Sequence, residues 1–159
     1  MHYISEFLLW LFIINLGTSF GAGIYETKMI LPMWFIKSPK IGYRVNISAM
    51  KELDSGRRFW AWVNTLPLTL LTLANLITSL QISGERYHWW LAASLVVLIE
   101  RIGTFSYFIP TAIKLTNSEN LPQKKTSSLI SSWLLLNYFR NILILIGWIM
   151  ALLALSLPK

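Results

Sequence analysis

Four long apolar runs divide this chain and leave it few ways to fold. They cover about residues 7–25, 59–80, 89–109 and 129–155. At about 1.5 Å of rise per residue, each is long enough as a helix to cross a hydrocarbon core of about 30 Å. Inside such a core every backbone amide must find its partner within the chain, so a run of this length reads as a helix rather than a loop or open strand. The expected fold class is all-α, an integral membrane four-helix bundle, with residues 1–159 forming a single membrane domain. Composition agrees: 55% of the residues are hydrophobic and 13% are charged, about half the charged fraction of a typical soluble domain.

The stretches between the runs set the orientation. Residues 27–58 carry Lys28, Lys37, Lys40, Arg44, Lys51, Arg57 and Arg58, and residues 111–128 carry Lys114, Lys124 and Lys125. The leader has no Lys or Arg, the second loop has Arg86, and the C-terminus has Lys159. Basic loops stay on the cytoplasmic side, so loops 27–58 and 111–128 are expected to be cytoplasmic and both termini non-cytoplasmic. The net charge of +7 then faces anionic headgroups, and membrane lipids rather than nucleic acid are the expected partners. The leader lacks the positive start and cleavage site of a secretory signal. Pro32, Pro39 and Gly42 are expected to keep 27–58 a long loop, with Met29–Ile36 in the interface and Asn46–Leu53 a short capped helix. Pro110 is expected to end the third span. Cysteine is absent, which excludes disulfides, thiolate nucleophiles and cysteine-held metal or iron–sulfur centres.

Against this background Glu100 and Arg101 stand out, because they lie inside the third apolar run. An ionised side chain at membrane depth costs about 2.5 to 3.5 kcal/mol on insertion scales, so it persists only beside partners or water. Arg140 lies inside the fourth run. Helical rise places Arg101 and Arg140 a few ångströms to the cytoplasmic side of centre, with Asn64 and Asn137 somewhat further that way. Glu100, Thr104 and Tyr107 share a face of the third helix, Asn137 and Arg140 are three apart on the fourth, and Asn15, Ser19, Ala22 and Glu26 share a face of the first. The expectation is a polar pocket between four helices, open toward the cytoplasm, with Glu100 or Glu26 balancing Arg101 and Arg140. A purely structural pair tying two helices together fits the same charges. Trp10, Trp34, Trp60, Trp89, Trp90, Trp133 and Trp148 mostly fall near run ends, where tryptophan anchors helices at the interface. Gly17 and Gly21 form a G-x-x-x-G ridge suited to close helix approach. His2 and His88 lie at the outer interface, and a shared metal or haem there is left open.

Gly21-Ala22-Gly23-Ile24-Tyr25-Glu26, then Pro32 and Trp34, Arg58-Phe59-Trp60, Thr104-Phe105-Ser106-Tyr107-Phe108-Ile109-Pro110, and Trp133-Leu134-Leu135-Leu136-Asn137 with Arg140 resemble the anthrone-oxygenase-like family. This is a family of small four-helix membrane proteins, largely a domain of unknown function. The resemblance spans nearly the whole chain. It implies an integral membrane protein, and the family's characterised relatives oxidise anthrones to anthraquinones without an evident cofactor. It brings no established catalytic residue set.

The residues fit such chemistry. A deprotonated anthrone or hydroquinone reacts with oxygen directly, so the protein need supply a base, a cation for the enolate oxygen and an apolar slot for a flat ring. Glu26, Glu100, Arg101 and Arg140 are the candidate catalytic residues, a carboxylate as base and guanidiniums beside the oxyanion. An arginine paired with Glu100 would weaken it as a base and leave Glu26 the better candidate. Asn64, Thr104, Tyr107 and Asn137 are the candidate substrate-binding residues. No metal or cofactor is expected. The expected activity is cofactor-independent oxygenation of an anthrone- or hydroquinone-like aromatic. The alternative is non-enzymatic, a lipid- or quinone-binding protein or a partner subunit of a membrane complex, so whether the chain is an enzyme stays open. The expected ligand is a hydrophobic aromatic or quinone-like small molecule, a homo-oligomer is compatible with the glycine ridge, and the expected location is the bacterial cytoplasmic (inner) membrane.

Overall fold

The computed structural model describes residues 2–81 and 84–157, with the side chains of His2 and Asn120 outside that description. Four helices are long and apolar enough to cross a membrane: α1 (Tyr3–Trp34), α3 (Gly56–Ser79), α4 (Glu85–Thr116) and α5 (Gln123–Ser156). Between α1 and α3 lie an antiparallel hairpin, β1 (Phe35–Ser38) with β2 (Gly42–Val45), and the short helix α2 (Ile47–Leu53). Helix α1 packs on α3 and α5, and α4 packs on α3 and α5, so the four close into a ring. The molecule is an all-α membrane bundle with a small hairpin added at one end.

The long helices run past their expected ends. The segment 27–58, expected as a loop, continues α1 to Trp34, turns through the hairpin and α2, and begins α3 at Gly56. Likewise 111–128 completes α4, makes one tight turn at Ser118–Asn120 and starts α5 at Gln123. Pro32 and Pro110 do not stop their helices. A proline ring collides with the carbonyl four residues back and offers no N–H. Here each proline directly follows a wider π-helical segment: Glu26–Ile30 before Pro32, Gly56–Thr65 before Pro67, and Thr104–Phe108 before Pro110. The amides of Leu31, Leu66 and Ile109 reach five residues back, to the carbonyls of Glu26, Ala61 and Thr104. That wider turn lets each helix continue through its proline. At Pro67 the carbonyl left over, Val63 O, accepts a hydrogen bond from the Asn15 amide of α1 at 3.0 Å.

Helix α2 is capped as expected, with the Ala49 amide donating to Asn46 Oδ1 at 3.2 Å. The hairpin is fastened to α5, where Tyr43 N donates to Ser127 Oγ at 3.0 Å and Gln123 Nε2 to Tyr43 O at 2.8 Å. Gly42 supplies the left-handed backbone, φ +77°, that opens β2.

Two apolar cores form along the bundle. One gathers Leu9, Phe12, Leu16, Leu68, Trp90, Val97 and Ile144, and the other gathers Leu31, Trp34, Phe35, Met50, Phe108, Leu115, Ile130 and Trp133. On α1, α4 and α5, which contribute to both, Glu26, Glu100 with Arg101, and Arg140 fall between them, which makes a polar layer sandwiched by apolar packing. Trp34, Trp90 and Trp133 are buried in these cores rather than anchored at the interface, while Trp10, Trp62 and Trp89 are exposed. Gly17 lies against Trp148 and Gly23 against Asn141, but Gly21 faces open space.

Candidate functional site

Glu100 and Arg101 are neighbours on α4, and both turn into the bundle. Arg101 Nε donates to Glu100 Oε2 at 2.5 Å, and Arg101 NH1 donates to Asn64 Oδ1 of α3 at 3.0 Å. Thr104 Oγ1, one turn on, donates to the other carboxylate oxygen, Glu100 Oε1, at 2.8 Å. All four residues are buried. The cost of desolvating these two charges is offset by their mutual contact and by polar partners on both sides.

A second pair lies beside the first. Arg140 NH2 of α5 donates to Glu26 Oε2 of α1 at 2.8 Å. The guanidinium carbon also stands 4.7 Å from the Phe108 ring centre and 5.5 Å from that of Trp60. A guanidinium over aromatic faces is attracted by their quadrupoles, the more so away from water. The layer therefore contains two cations and two carboxylates, each pair closed on itself, and carries no net charge.

Glu26, Asn64, Arg101, Thr104 and Arg140 line one cavity of about 100 Å³ inside the bundle. That is room for about three waters at liquid density. Trp34, Ser55 and Trp133 line it too, and each brings a buried polar atom, Nε1, Oγ and Nε1 respectively, with no partner among the described residues. A buried donor without a partner costs about 1–3 kcal/mol. All three belong to residues on this cavity's wall, and each polar atom itself has almost no exposed surface.

Two lateral grooves adjoin this cavity. One, about 520 Å³, lies between α1 and α3 and shares Glu26, Ser55 and Trp60 with it. The other, about 300 Å³, lies between α4 and α5 and shares Phe108 and Arg140.

Of the residues singled out from the sequence, Glu26, Glu100, Arg101, Arg140, Asn64 and Thr104 thus come together in one layer. Tyr107 faces the groove between α4 and α5 rather than the central cavity. Asn137 is fully buried and engaged elsewhere, its Nδ2 donating to Thr27 Oγ1 of α1 at 2.7 Å beside a similar bond from Asn141 at 3.2 Å. It clamps α5 to α1 and does not line the cavity. The pairing also differs from a choice between Glu100 and Glu26, because both carboxylates are used. Trp34, Ser55, Trp60, Phe108, Trp133 and Thr27 were not anticipated. Trp133 could have been found, since it sits four residues before Asn137 and seven before Arg140, on the same helical face.

The half of the bundle away from the hairpin holds a separate network. Asn75 Nδ2 donates to the Leu8 and Leu71 carbonyls, and Trp90 Nε1 donates to Asn75 Oδ1 at 3.0 Å. The nearby Arg86 pairs with Glu6 at 3.3 Å. These contacts tie α1, α3 and α4 together. The His2 side chain lies outside the description and His88 packs on Tyr87. Among the described residues no group of three or more His, Cys, Asp or Glu is placed to hold a metal.

Comparison with protein-family models, with curated proteins and with solved structures finds no match.

Proposed function

We propose that the central cavity receives the oxygen-bearing edge of a neutral, flat aromatic molecule dissolved in the membrane, of the quinone or hydroquinone class. The observation that carries this is the pairing of a charge-neutral layer with unused donors, Trp34 Nε1, Trp133 Nε1 and Ser55 Oγ. An anion such as a phosphate would bring uncompensated charge into a site whose arginines are already matched. A carbonyl or hydroxyl oxygen brings acceptor capacity alone, and the aromatic walls at Trp60 and Phe108 suit a ring. In this reading the basic end of the bundle faces the cytoplasm of a bacterial cell, and the ligand arrives from the bilayer.

The test is titration of the protein in lipid nanodiscs with 2-decyl-1,4-naphthoquinone. Trp34→Phe and Trp133→Phe keep an aromatic ring and remove the N–H together with the five-membered ring that carries it. Each is expected to weaken binding about tenfold, the worth of one hydrogen bond. Unchanged affinity in both variants would remove the proposal.

Oxygenation of an anthrone- or hydroquinone-like ring is a second reading, favoured by the position of Glu26 on both the cavity and the groove. For an anthrone, one atom of O2 enters the ring carbon and the other leaves as water, giving the anthraquinone. Glu26 would take the substrate proton while the enolate replaces it beside Arg140, so the layer stays neutral throughout. Oxygen uptake that stops in Glu26→Gln with ring binding retained supports this; no uptake by the wild type rejects it.

A further inference from the structure

Six glycines lie within the four long helices, and they divide cleanly. Gly17, Gly23 and Gly147 are each pressed against a side chain of a neighbouring helix, so their smallness serves packing. Gly21, Gly56 and Gly103 are different, because a Cβ added to any of them would meet nothing within 4 Å. Each lies on the wall of one void around the charged layer: Gly56 on the central cavity, Gly103 on the groove between α4 and α5, and Gly21 on the groove between α1 and α3. Glycine weakens a helix relative to alanine. Where no neighbour requires it, what it supplies is space.

We infer that the groove between α1 and α3 is the seat and lipid-side entrance for the body of the ring whose oxygen edge enters the central cavity, and that Gly21 keeps this groove open. The inference rests on the neutral-ring reading above and adds the place and the route. The central cavity, about 100 Å³, is smaller than the roughly 150 Å³ cavity that takes a benzene, so a fused ring cannot lie wholly within it. The groove, about 520 Å³, is within the usual range for small-molecule sites. It shares Glu26, Ser55 and Trp60 with the cavity, so a ring seated there has its inner edge at the Ser55 hydroxyl and the Glu26–Arg140 pair. Its wall carries the Phe59 and Trp60 rings, edge to face with centres 5.3 Å apart, a surface on which a flat ring packs. Exposed Tyr25 and Phe59 flank its lateral opening. The groove between α4 and α5 is smaller, and Glu100, the carboxylate on its wall, is committed to Arg101 and Thr104.

The experiment uses the full chain in nanodiscs with 2-decyl-1,4-naphthoquinone, comparing wild type with Gly21→Leu, Gly21→Ala and Gly103→Leu. Gly21→Leu is expected to bind at least about tenfold more weakly, Gly21→Ala to fall between, and Gly103→Leu to stay within about twofold of wild type. A diazirine placed on the naphthoquinone ring is expected to label Tyr25 or Phe59 in the wild type, a readout independent of how the variants fold. Wild-type binding with Gly21→Leu unaffected, or labelling confined to Leu136, Phe139 or Leu143, overturns the groove assignment and leaves the cavity reading standing. Absence of saturable binding by the wild type overturns both.

Discussion

Arg101 is held by two polar partners, the carboxylate of Glu100 and the amide oxygen of Asn64, which offset the cost of burying its charge between apolar cores. Removing one partner of such a pair strands the other, whereas removing both exchanges charge for packing. Arg101→Met is therefore expected to destabilise the protein by about 3–5 kcal/mol. The double variant Glu100→Met, Arg101→Met should recover most of that, less about 1–3 kcal/mol for the polar groups of Asn64 and Thr104 left behind. Unfolding midpoints in detergent decide it, and a double variant no better than the single would contradict a matched pair. At this scale the sequence is most legible where a residue is out of place. Glu100, Arg101 and Arg140 announce themselves by charge within apolar runs. Trp34, Trp133 and Phe108 do not, because an aromatic residue in an apolar run looks the same whether it faces lipid, core or cavity.

The helices themselves carry a regularity that hydropathy alone does not display. Each proline inside a membrane helix follows a π-helical segment, and all three segments contribute to the charged layer: Glu26 in the first, Trp60 and Asn64 in the second, Thr104 and Phe108 in the third. Apolar length revealed the four spans. The helix ends were misjudged because proline was read as a stop, whereas a π turn before each proline carries the helix on. Asn15 and Pro67 expose the mechanism, since the proline leaves Val63 O without a donor and Asn15 supplies one. Asn15→Ala is expected to cost about 1–3 kcal/mol. Pro67→Ala in the same chain should restore part of the loss, because residue 67 regains an N–H able to reach Val63 O. Thermal unfolding of the single and double variants measures this, and strictly additive losses would contradict it.

Across the whole molecule, the charged layer lies between two apolar cores and beside two lateral grooves, in a bundle of four helices long enough to cross a membrane. One core lies among the spans, and the other is completed by the hairpin and α2, which cap the basic end. That capping core was hidden in a stretch whose prolines and lysines resemble a loop. The layer's lack of net charge follows from Glu26, Glu100, Arg101 and Arg140 being brought together across α1, α4 and α5, a matter of three-dimensional assembly that spacing along one chain leaves open. On the proposed function, this layer selects a neutral ring by its acceptor oxygens and not an anion by its charge. The most direct measurement is paired titration in nanodiscs of fixed lipid composition with 2-decyl-1,4-naphthoquinone and with decyl phosphate. Saturable one-to-one binding of the quinone, at least about tenfold tighter than the phosphate, is the predicted result. Tighter binding of the phosphate, displaced by salt, would contradict it and make the arginines an anion site.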